Sequence, residues 1–322
     1  MSKLPDVQKQ TKGFPHLYIE NVGTENIRIR FPICTPDGTE YVLASMRSYC
    51  SLDESVKGIN MSRIGRTIRR VIEETPDGFQ TLAPLANALL EAHDEGTADV
   101  SVAADFPYLL QQVTPVTGIS APKAVEVSMA SVFENGEMKN YLTVETTEMS
   151  LCPCSKELSL LKNNISEAER EEIEKLSPEL REKIYRSGFG AHNQKSTITV
   201  TVELSESSDV TIAGFAELIA ESASAPTFSI LKRPDEKWVT EVSYLGGYYD
   251  EEGKYNEVGG GPKFVEDIVR SIALKLSECL DETIRDYIVY VKNHESIHSD
   301  GIVATAIMSA GRSLRKGILT LG

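Results

Sequence analysis

The same order of strand and helix patterns occurs twice along the sequence, and this repeat restricts the folds that the chain can adopt. Each copy has a hairpin of alternating apolar and polar residues, then amphipathic helices, then further strand patterns. The first hairpin turns at the segment TPDG and the second at ENGE. In the first helix, apolar residues recur at helical spacing: Met61, Ile64, Ile68, Val71 and Ile72. The repeat predicts an α+β fold whose antiparallel sheets carry helices on one face.

Composition changes along the chain predict where the modules begin and end. The polar, proline-bearing segment TPVTGISAPK separates the two copies near residue 120. We therefore predict an N-terminal arm at 1–14, a first module at 15–120 and a second at 121–322. The second module contains two apparent insertions. A charge-dense one at about 163–186 is predicted to be an exposed helical hairpin or lid, and a glycine-rich one at about 246–261 a flexible loop.

Charge and cysteine content exclude several classes of protein. The chain has five cysteines, an odd number, and no apolar segment near its start, so a secreted disulfide framework is not expected. We predict a cytoplasmic protein. No window is apolar for long enough to span a membrane, and the formal net charge of -15 opposes non-specific binding of nucleic acid. We therefore expect neither a membrane nor a nucleic acid as partner.

A pair of cysteines is the first candidate for chemistry. Cys152 and Cys154 flank Pro153 in the segment SLCPCSKELS. Structural zinc half-sites usually have two to four residues between their cysteines, so this spacing is a weak metal signal. Lys156 is close enough in sequence to favour a thiolate. On these residues alone, a structural pair, a metal ligand and a nucleophile all remain open.

Histidines and one glutamate late in the chain add further candidates. Three of the five histidines are His192, His294 and His298, and Glu295 precedes the last of them by three residues. A regular strand would point Glu295 and His298 to opposite faces, so a shared site requires the chain to turn there. A thiolate, imidazoles and a carboxylate form a mixed donor set that suits zinc, iron or manganese. With an open coordination position, such a metal activates water for hydrolysis.

Several segments together resemble the type IB GTP cyclohydrolases. They are SLCPCSKE, GAHNQKS, LKRPDEKWVTE, PKFVEDIVR and NHESIH, with LPDVQ and GINMSRIGR earlier in the chain. They cover most of the sequence in the expected order. The resemblance implies two tandem tunnelling-fold modules and a homotetramer with sites at subunit interfaces. It also implies hydrolytic opening of the imidazole ring of GTP at C8, release of formate and formation of 7,8-dihydroneopterin triphosphate, which begins tetrahydrofolate or 7-deazaguanine synthesis.

The same resemblance implies roles for individual residues. A divalent metal (manganese, iron or zinc) is implied to be held by four residues: Cys152, His192, Glu236 and His298. Catalytic roles are implied for Cys152, Glu295 and His298, with Glu295 placed to move protons. Glu266 is the candidate for the carboxylate that clamps the N–H edge of the purine.

The triphosphate of GTP requires cations, and the sequence supplies several candidates. Lys195 and Arg63 are predicted to bind it, and Lys232 and Arg233 are also available. Asn60 stands where the family usually has a histidine before Met-Ser-Arg, so any role of that histidine is absent or replaced.

Two other functions compete with this one. A tunnelling-fold nitrile reductase would use a cysteine as a nucleophile and consume NADPH, and it would not need His192 and His298 as metal ligands. A non-catalytic, metal-stabilised purine-binding protein would use the same residues to hold its structure, so it would unfold without metal and leave GTP intact.

Overall fold

A computed structural model of the protein describes residues 17–35, 38–75, 78–93, 96–161, 166–186, 190–206, 208–312 and 314. The predicted arm at 1–14 lies outside this part of the chain. No helix in the described ranges is long and apolar enough to cross a membrane.

The long strands form one 8-stranded antiparallel sheet in the order β1-β2-β3-β4-β5-β6-β9-β10. Their bounds are β1 (Ile19–Thr35), β2 (Gly38–Leu52), β3 (Val100–Val113), β4 (Ser120–Glu134), β5 (Glu137–Leu151), β6 (Asn193–Leu204), β9 (Ile284–His294) and β10 (Val303–Ser309). The intervening β7 (Gly247–Tyr249) and β8 (Tyr255–Glu257) pair with each other in a small separate sheet. Each pair in both sheets is antiparallel, as the sequence predicted.

Four helices, those that begin at Met61, Gly78, Ile212 and Val265, pack against one face of the large sheet, and the described ranges contain eight helices in all. They are α1 (Met61–Glu74), α2 (Gly78–Ala92), α3 (Pro153–Leu161), α4 (Glu167–Glu174), α5 (Pro178–Arg186), α6 (Ile212–Ser222), α7 (Arg233–Leu245) and α8 (Val265–Glu278). Alternate strand residues such as Val127 and Val200 share one buried core cluster with Ile64 and Ile272 of the helices. Residues such as Lys195 lie on the opposite side of the sheet, which we call the open face. The predicted α+β class is confirmed.

Helix α1 shows how the sequence produces this layer. Ile64, Ile68, Val71 and Ile72 recur at helical spacing and are buried on the sheet, whereas Met61 at the first turn is 49% exposed. Burial of one apolar stripe supplies most of the stability of such a helix. The prediction of a helix in this segment is confirmed.

The two halves of the sheet join at a tight turn between β4 and β5. Asn135 and Gly136 both have positive φ, 53° and 82°, which matches the right-handed twist of a two-residue hairpin. When α3, α7 and the two insertions are set aside, each side of this turn has two strands, two helices and two strands. The boundary near residue 120 stays a prediction, and it would assign β4 to the second module. Because a division at Asn135–Gly136 gives each side the same order of repeated elements, we propose that boundary instead.

The charge-dense insertion contains two short helices, α4 and α5. Ser166 and Glu169 form a reciprocal capping box at the start of α4, and no residue of α4 is buried. This agrees with the predicted exposed helical hairpin. The glycine-rich insertion differs from its prediction, because Gly247–Tyr249 pairs with Tyr255–Glu257 as a β-hairpin. Contact between the Tyr249 and Tyr255 rings, 5.4 Å between centroids, adds to this pairing and was not evident from glycine content.

One end of the large sheet collects the connections that matter for function, and we call it the β5–β6 end. There Leu151, the last residue of β5, pairs with Asn193, the first of β6, and His294 of β9 pairs with Val303 of β10. The turn between β3 and β4 lies at the same end because neighbouring strands are antiparallel. Both insertions start from this end.

Candidate functional site

Cys152 lies between the end of β5 at Leu151 and the start of α3 at Pro153. Its carbonyl accepts the first helical hydrogen bond from Lys156 N at 3.2 Å, and its sulfur accepts one from Ser155 N at 3.5 Å. Pro153 occupies the first helical position, where its missing N–H is not needed. The local sequence thus places the half-buried Cys152 thiol at a helix N-terminus, whereas Cys154 is exposed one residue into the helix.

His192 is held directly beside Cys152. Cys152 N donates to the His192 carbonyl at 3.3 Å, and His192 N donates to Ser155 Oγ at 3.3 Å. The His192 ring meets the turn after β9, with Nδ1 3.4 Å from Ser296 Oγ. The two residues are far apart in sequence, and the pairing of β5 with β6 brings them together.

Glu295 and His298 lie in the turn between β9 and β10. Glu295 N donates to the Ile302 carbonyl at 3.0 Å, which closes the turn, and Glu295 Oε1 accepts from Gln194 Nε2 at 3.0 Å. Glu295 is half-buried and His298 is exposed. The turn required for Glu295 and His298 to serve one site is therefore present.

Glu236 lies in the first turn of α7 and is exposed, but its neighbour Asp235 is fully buried. Asp235 accepts hydrogen bonds from Val116 N and Thr117 N at 3.0 Å each, and from Thr117 Oγ1 at 2.6 Å. Lys232 N also donates to it, at 3.2 Å. Burial would raise the pKa of Asp235, but these hydrogen bonds outweigh it and hold the pKa well below its usual range. Asp235 thereby attaches the start of α7 to the β3–β4 turn.

Glu266 lies in the first turn of α8 and is exposed. The chain just before it is attached to the sheet, because Lys263 N donates to the Leu151 carbonyl at 3.1 Å. Lys263 Nζ donates to the Ser222 and Ala223 carbonyls at 3.0 and 2.9 Å, at the end of α6. Burial, and then the nearby charge of Lys275, lower the pKa of Lys263 to about 8.

The two predicted phosphate ligands lie far apart. Lys195 is exposed on the open face, opposite Met149, at the β5–β6 end. Arg63 is at the other end of the sheet, where its Nη1 donates to the Ala92 carbonyl at 2.9 Å. One chain therefore does not bring Arg63 to the end that holds Cys152.

The structure thus gathers part of the predicted set. Cys152, His192 and Glu295 are joined through direct or one-residue contacts, and His298 is in the same turn as Glu295. Glu236 and Glu266 begin helices at this end of the sheet. In the described ranges, no group of three or more His, Cys, Asp or Glu side chains is close enough to hold a metal ion.

Several polar residues beneath the site were not singled out from the sequence. Asn293 Nδ2 donates to Ser150 Oγ at 3.1 Å, and Ser196 Oγ donates to Asn293 Oδ1 at 2.6 Å, so this buried network links β5, β6 and β9. Gln194 and Asp235 belong to the quoted segments GAHNQKS and LKRPDEKWVTE, and no local pattern around Asp235 indicated its burial. A polar residue at a core-facing strand position was the signal available for Gln194.

Comparison with known proteins gives matches over nearly the whole chain. The model of a family described as "Type I GTP cyclohydrolase folE2" matches residues 4–304. GTP cyclohydrolase FolE2 of Herminiimonas arsenicoxydans is 31% identical over 304 residues, which are 94% of this chain and 97% of that protein. GTP cyclohydrolase FolE2 of Magnetococcus marinus is 32% identical over 304 residues, 94% of each.

Solved structures resemble the fold with little sequence identity. The uricase from Arthrobacter globiformis has a TM-score of 0.50 and 9% identity, covering 94% of this chain and 97% of that one. A hyper-thermostable AgUricase mutant gives a TM-score of 0.51 at 9% identity, covering 94% and 96%. At this identity the likeness concerns the fold, and it confirms the expected architecture of two tandem tunnelling-fold modules.

Proposed function

The chain belongs to the type I GTP cyclohydrolase FolE2 family, and from this premise we propose that it opens the imidazole ring of GTP at C8 by hydrolysis. The products are formate and 7,8-dihydroneopterin triphosphate. The observation that carries the proposal is the meeting of Cys152, His192 and Glu295 at the β5–β6 end. Metal-assisted hydrolysis uses a thiol, an imidazole and a carboxylate of this kind, and the chain segments that carry these three are neighbours here.

The proposed metal ligands are Cys152, His192, Glu236 and His298. Their sulfur, nitrogen and oxygen donors fit zinc, iron or manganese. A divalent cation held there would lower the pKa of a coordinated water from about 15.7 toward about 7. Cys152 and His192 are joined by a backbone hydrogen bond of 3.3 Å, and this proximity of two of the four proposed ligands supports the proposal. His298 would complete the set from the exposed turn beside them.

Glu295 has the proposed role of moving the proton. It is half-buried at the base of its turn, and its carboxylate is oriented by the amide of Gln194. A carboxylate in this position can accept a proton from the attacking water and return it to the ring nitrogen that leaves. Positioned proton transfer of this kind typically contributes about 10²–10⁴-fold to a rate.

Glu266 is the proposed guanine clamp. A carboxylate that faces the guanine N1–H and amino group accepts two charge-assisted hydrogen bonds. Adenine lacks those donors, so the clamp would select guanine. Glu266 is exposed at the start of α8, and the Lys263 contact with Leu151 attaches that helix to the end of β5.

The nucleotide phosphates are proposed to lie on the open face near Lys195, at the same end of the sheet. Lys232 and Arg233 at the start of α7 are further cations at this end. We propose a homotetramer with sites between subunits, because Arg63 can serve a site only if another chain brings that site to it. Family membership removes the reason to prefer nitrile reduction or a non-catalytic scaffold.

The test is turnover of GTP by metal-stripped protein with manganese, zinc or iron restored separately. Formate and pteridine fluorescence should appear only with metal, and Cys152→Ala should abolish both. Cys279→Ala is the matched control, since Cys279 is also half-buried but lies at the end of α8. Metal should also protect Cys152 from alkylation in the wild type. Folded, metal-loaded protein that leaves GTP intact would refute the proposal.

A further inference from the structure

Gln194 is the most deeply buried polar side chain that contacts a proposed catalytic group. It is 8% exposed, and it alternates with Ser196 and Ile198 on the helix-covered face of β6. Its Nε2 donates to Glu295 Oε1 at 3.0 Å. Because an ionised carboxylate can only accept hydrogen bonds, the amide must turn its NH₂ group toward Glu295.

That orientation fixes where the amide oxygen points. Gln194 Oε1 is buried, and within the described part of the chain it has no hydrogen-bond partner. Buried polar atoms almost always have a partner, because a lost hydrogen bond to water is otherwise not replaced. An acceptor left open beside a proposed catalytic carboxylate therefore points to a donor that is bound there during the reaction.

The surroundings of Gln194 are rigid. Asn293, Ser196 and Ser150 form a hydrogen-bonded network just inside it, at 0 to 2% exposure. On the outer side, His192 Nδ1 lies 3.4 Å from Ser296 Oγ, so the start of β6 meets the β9–β10 turn at two points. Gln194 is thus supported from below and connects the strand of His192 with the turn of Glu295.

From these contacts we infer that Gln194 is a positioning residue for the reaction, an inference that rests on the proposed function. Its NH₂ group holds the Glu295 carboxylate toward C8 of the purine, and its amide oxygen accepts a hydrogen bond from the attacking water. The water oxygen forms a bond to C8 as the C8=N7 double bond opens, and the water proton passes through Glu295 to N7. Glu295 then takes the proton of the new hydroxyl group at C8 and delivers it to N9 as the C8–N9 bond breaks, which leaves a formamide group on N7.

The experiment compares Gln194→Met, Glu295→Gln and the double variant, each loaded with manganese. Methionine keeps the length of the side chain and removes both hydrogen bonds. Gln112→Met is the matched control, because Gln112 on β3 also has a buried amide oxygen without a partner in the described ranges. We measure kcat and KM for GTP, manganese affinity and Tm for every variant.

We expect Gln194→Met to lower kcat by roughly 10²-fold, with KM and manganese affinity changed by no more than about threefold. In the Glu295→Gln background, Gln194→Met should then have almost no further effect, because it acts through Glu295. Gln112→Met should retain wild-type kcat.

Three results would overturn the inference. Gln194→Met could retain full kcat. The fold-decreases in kcat of Gln194→Met and Glu295→Gln could multiply in the double variant. Finally, Gln112→Met could lower kcat as much as Gln194→Met does. Each would show that Gln194 does not act through Glu295 in particular. A wild-type protein that leaves GTP unchanged would instead refute the proposed function, and the positioning role with it.

Discussion

Lys123 and Glu148 form an ion pair inside the protein, directly opposite each other on β4 and β5. Their side chains are 11% and 1% exposed. The Glu148 carboxylate also accepts hydrogen bonds from Thr146 Oγ1 and Thr227 N, each at 2.8 Å, so both of its oxygens have hydrogen-bond donors. The Thr227 contact holds the segment after α6 against β5. A charge so enclosed depends on its partner, because water cannot replace it.

Lys123→Met should therefore destabilise the protein strongly, by about 3–5 kcal/mol, because it leaves the Glu148 charge buried and unpaired. The double variant Lys123→Met, Glu148→Leu should recover most of that loss, since it removes both charges. Urea unfolding at neutral pH measures the free energy of unfolding of each. Equal destabilisation of the single and double variants would contradict this account.

A second residue pair fixes the segment after β10. Arg312 Nη2 donates to Asp281 Oδ2 at 3.1 Å, and Arg312 Nη1 donates to the Arg285 carbonyl at 3.2 Å. The hydrogen bond from Arg312 is the main cause that holds the pKa of Asp281 below its ordinary value. Because the pKa of Asp281 is lower in the folded than in the unfolded protein, the contact stabilises the fold fully at pH values above the unfolded pKa of about 3.9. This stabilisation is lost as the pH falls through the lower pKa of the folded state.

Asp281→Asn should consequently increase amide exchange of Ala310 at pH 7, where Ala310 N donates to the Tyr287 carbonyl. The difference from the wild type should shrink progressively below about pH 4, as Asp281 becomes protonated in the wild type too. Hydrogen exchange at pH 7 and at lower pH, corrected for intrinsic rates, is the measurement. A difference that stays constant with pH would exclude the charge of Asp281 as the cause.

At the scale of elements, the position of α7 depends on one carboxylate. Asp235 joins the first turn of α7 to Val116 and Thr117 in the β3–β4 turn, and the neighbouring residue is Glu236. A proposed metal ligand is therefore set by contacts that cross from one module to the other. Residues that orient metal ligands typically change metal affinity by about 10–100-fold when they are replaced.

Asp235→Asn should weaken manganese binding by roughly that factor, about 10–100-fold, while the protein remains folded. Asp250→Asn is the control, because Asp250 accepts from Lys254 N at 2.8 Å and stabilises the β7–β8 turn in the glycine-rich insertion that follows α7. Calorimetric titration of each metal-free variant with manganese gives the affinities. Equal affinities for both variants would mean that the position of α7 does not govern the metal.

Elements with a clear period could be predicted from the sequence, whereas contacts between distant segments could not. Helix α1 and the hairpins at TPDG and ENGE follow from residue spacing and turn residues. The β7–β8 hairpin was missed because its strands are only three residues each and lie in a glycine-rich segment. Cys152 and His192 were each recognised, but their contact depends on β5–β6 pairing, which no local pattern encodes.

At the scale of the whole molecule, the described chain leaves β1 and β10 as the edges of its sheet. Exposed apolar side chains on both, such as Ile19 at 44% and Ile307 at 40%, suit contact with further chains. Arg63 and Cys152 lie at opposite ends of the sheet in one chain. A site that used both would have to be built from two subunits.

Subunit exchange tests this arrangement. Arg63→Ala and Cys152→Ala should each be nearly inactive alone, and activity should reappear after the two are unfolded together and refolded as mixed oligomers. Recovery is expected because some interfaces would then combine an intact Arg63 with an intact Cys152. Each variant refolded with itself is the control. If mixed oligomers do not regain activity, either a single chain supplies both residues to one site, or Arg63 does not belong to the site.

The turn at Asn135–Gly136 has a mechanical consequence. Because two residues connect β4 to β5 and those strands are hydrogen-bonded neighbours, the halves of the protein share one continuous ladder without a linker. A chain pulled from its ends would therefore resist as a single body, and heat should melt both halves in one calorimetric peak. We therefore expect a destabilising substitution in either half to lower the melting temperature of the whole protein.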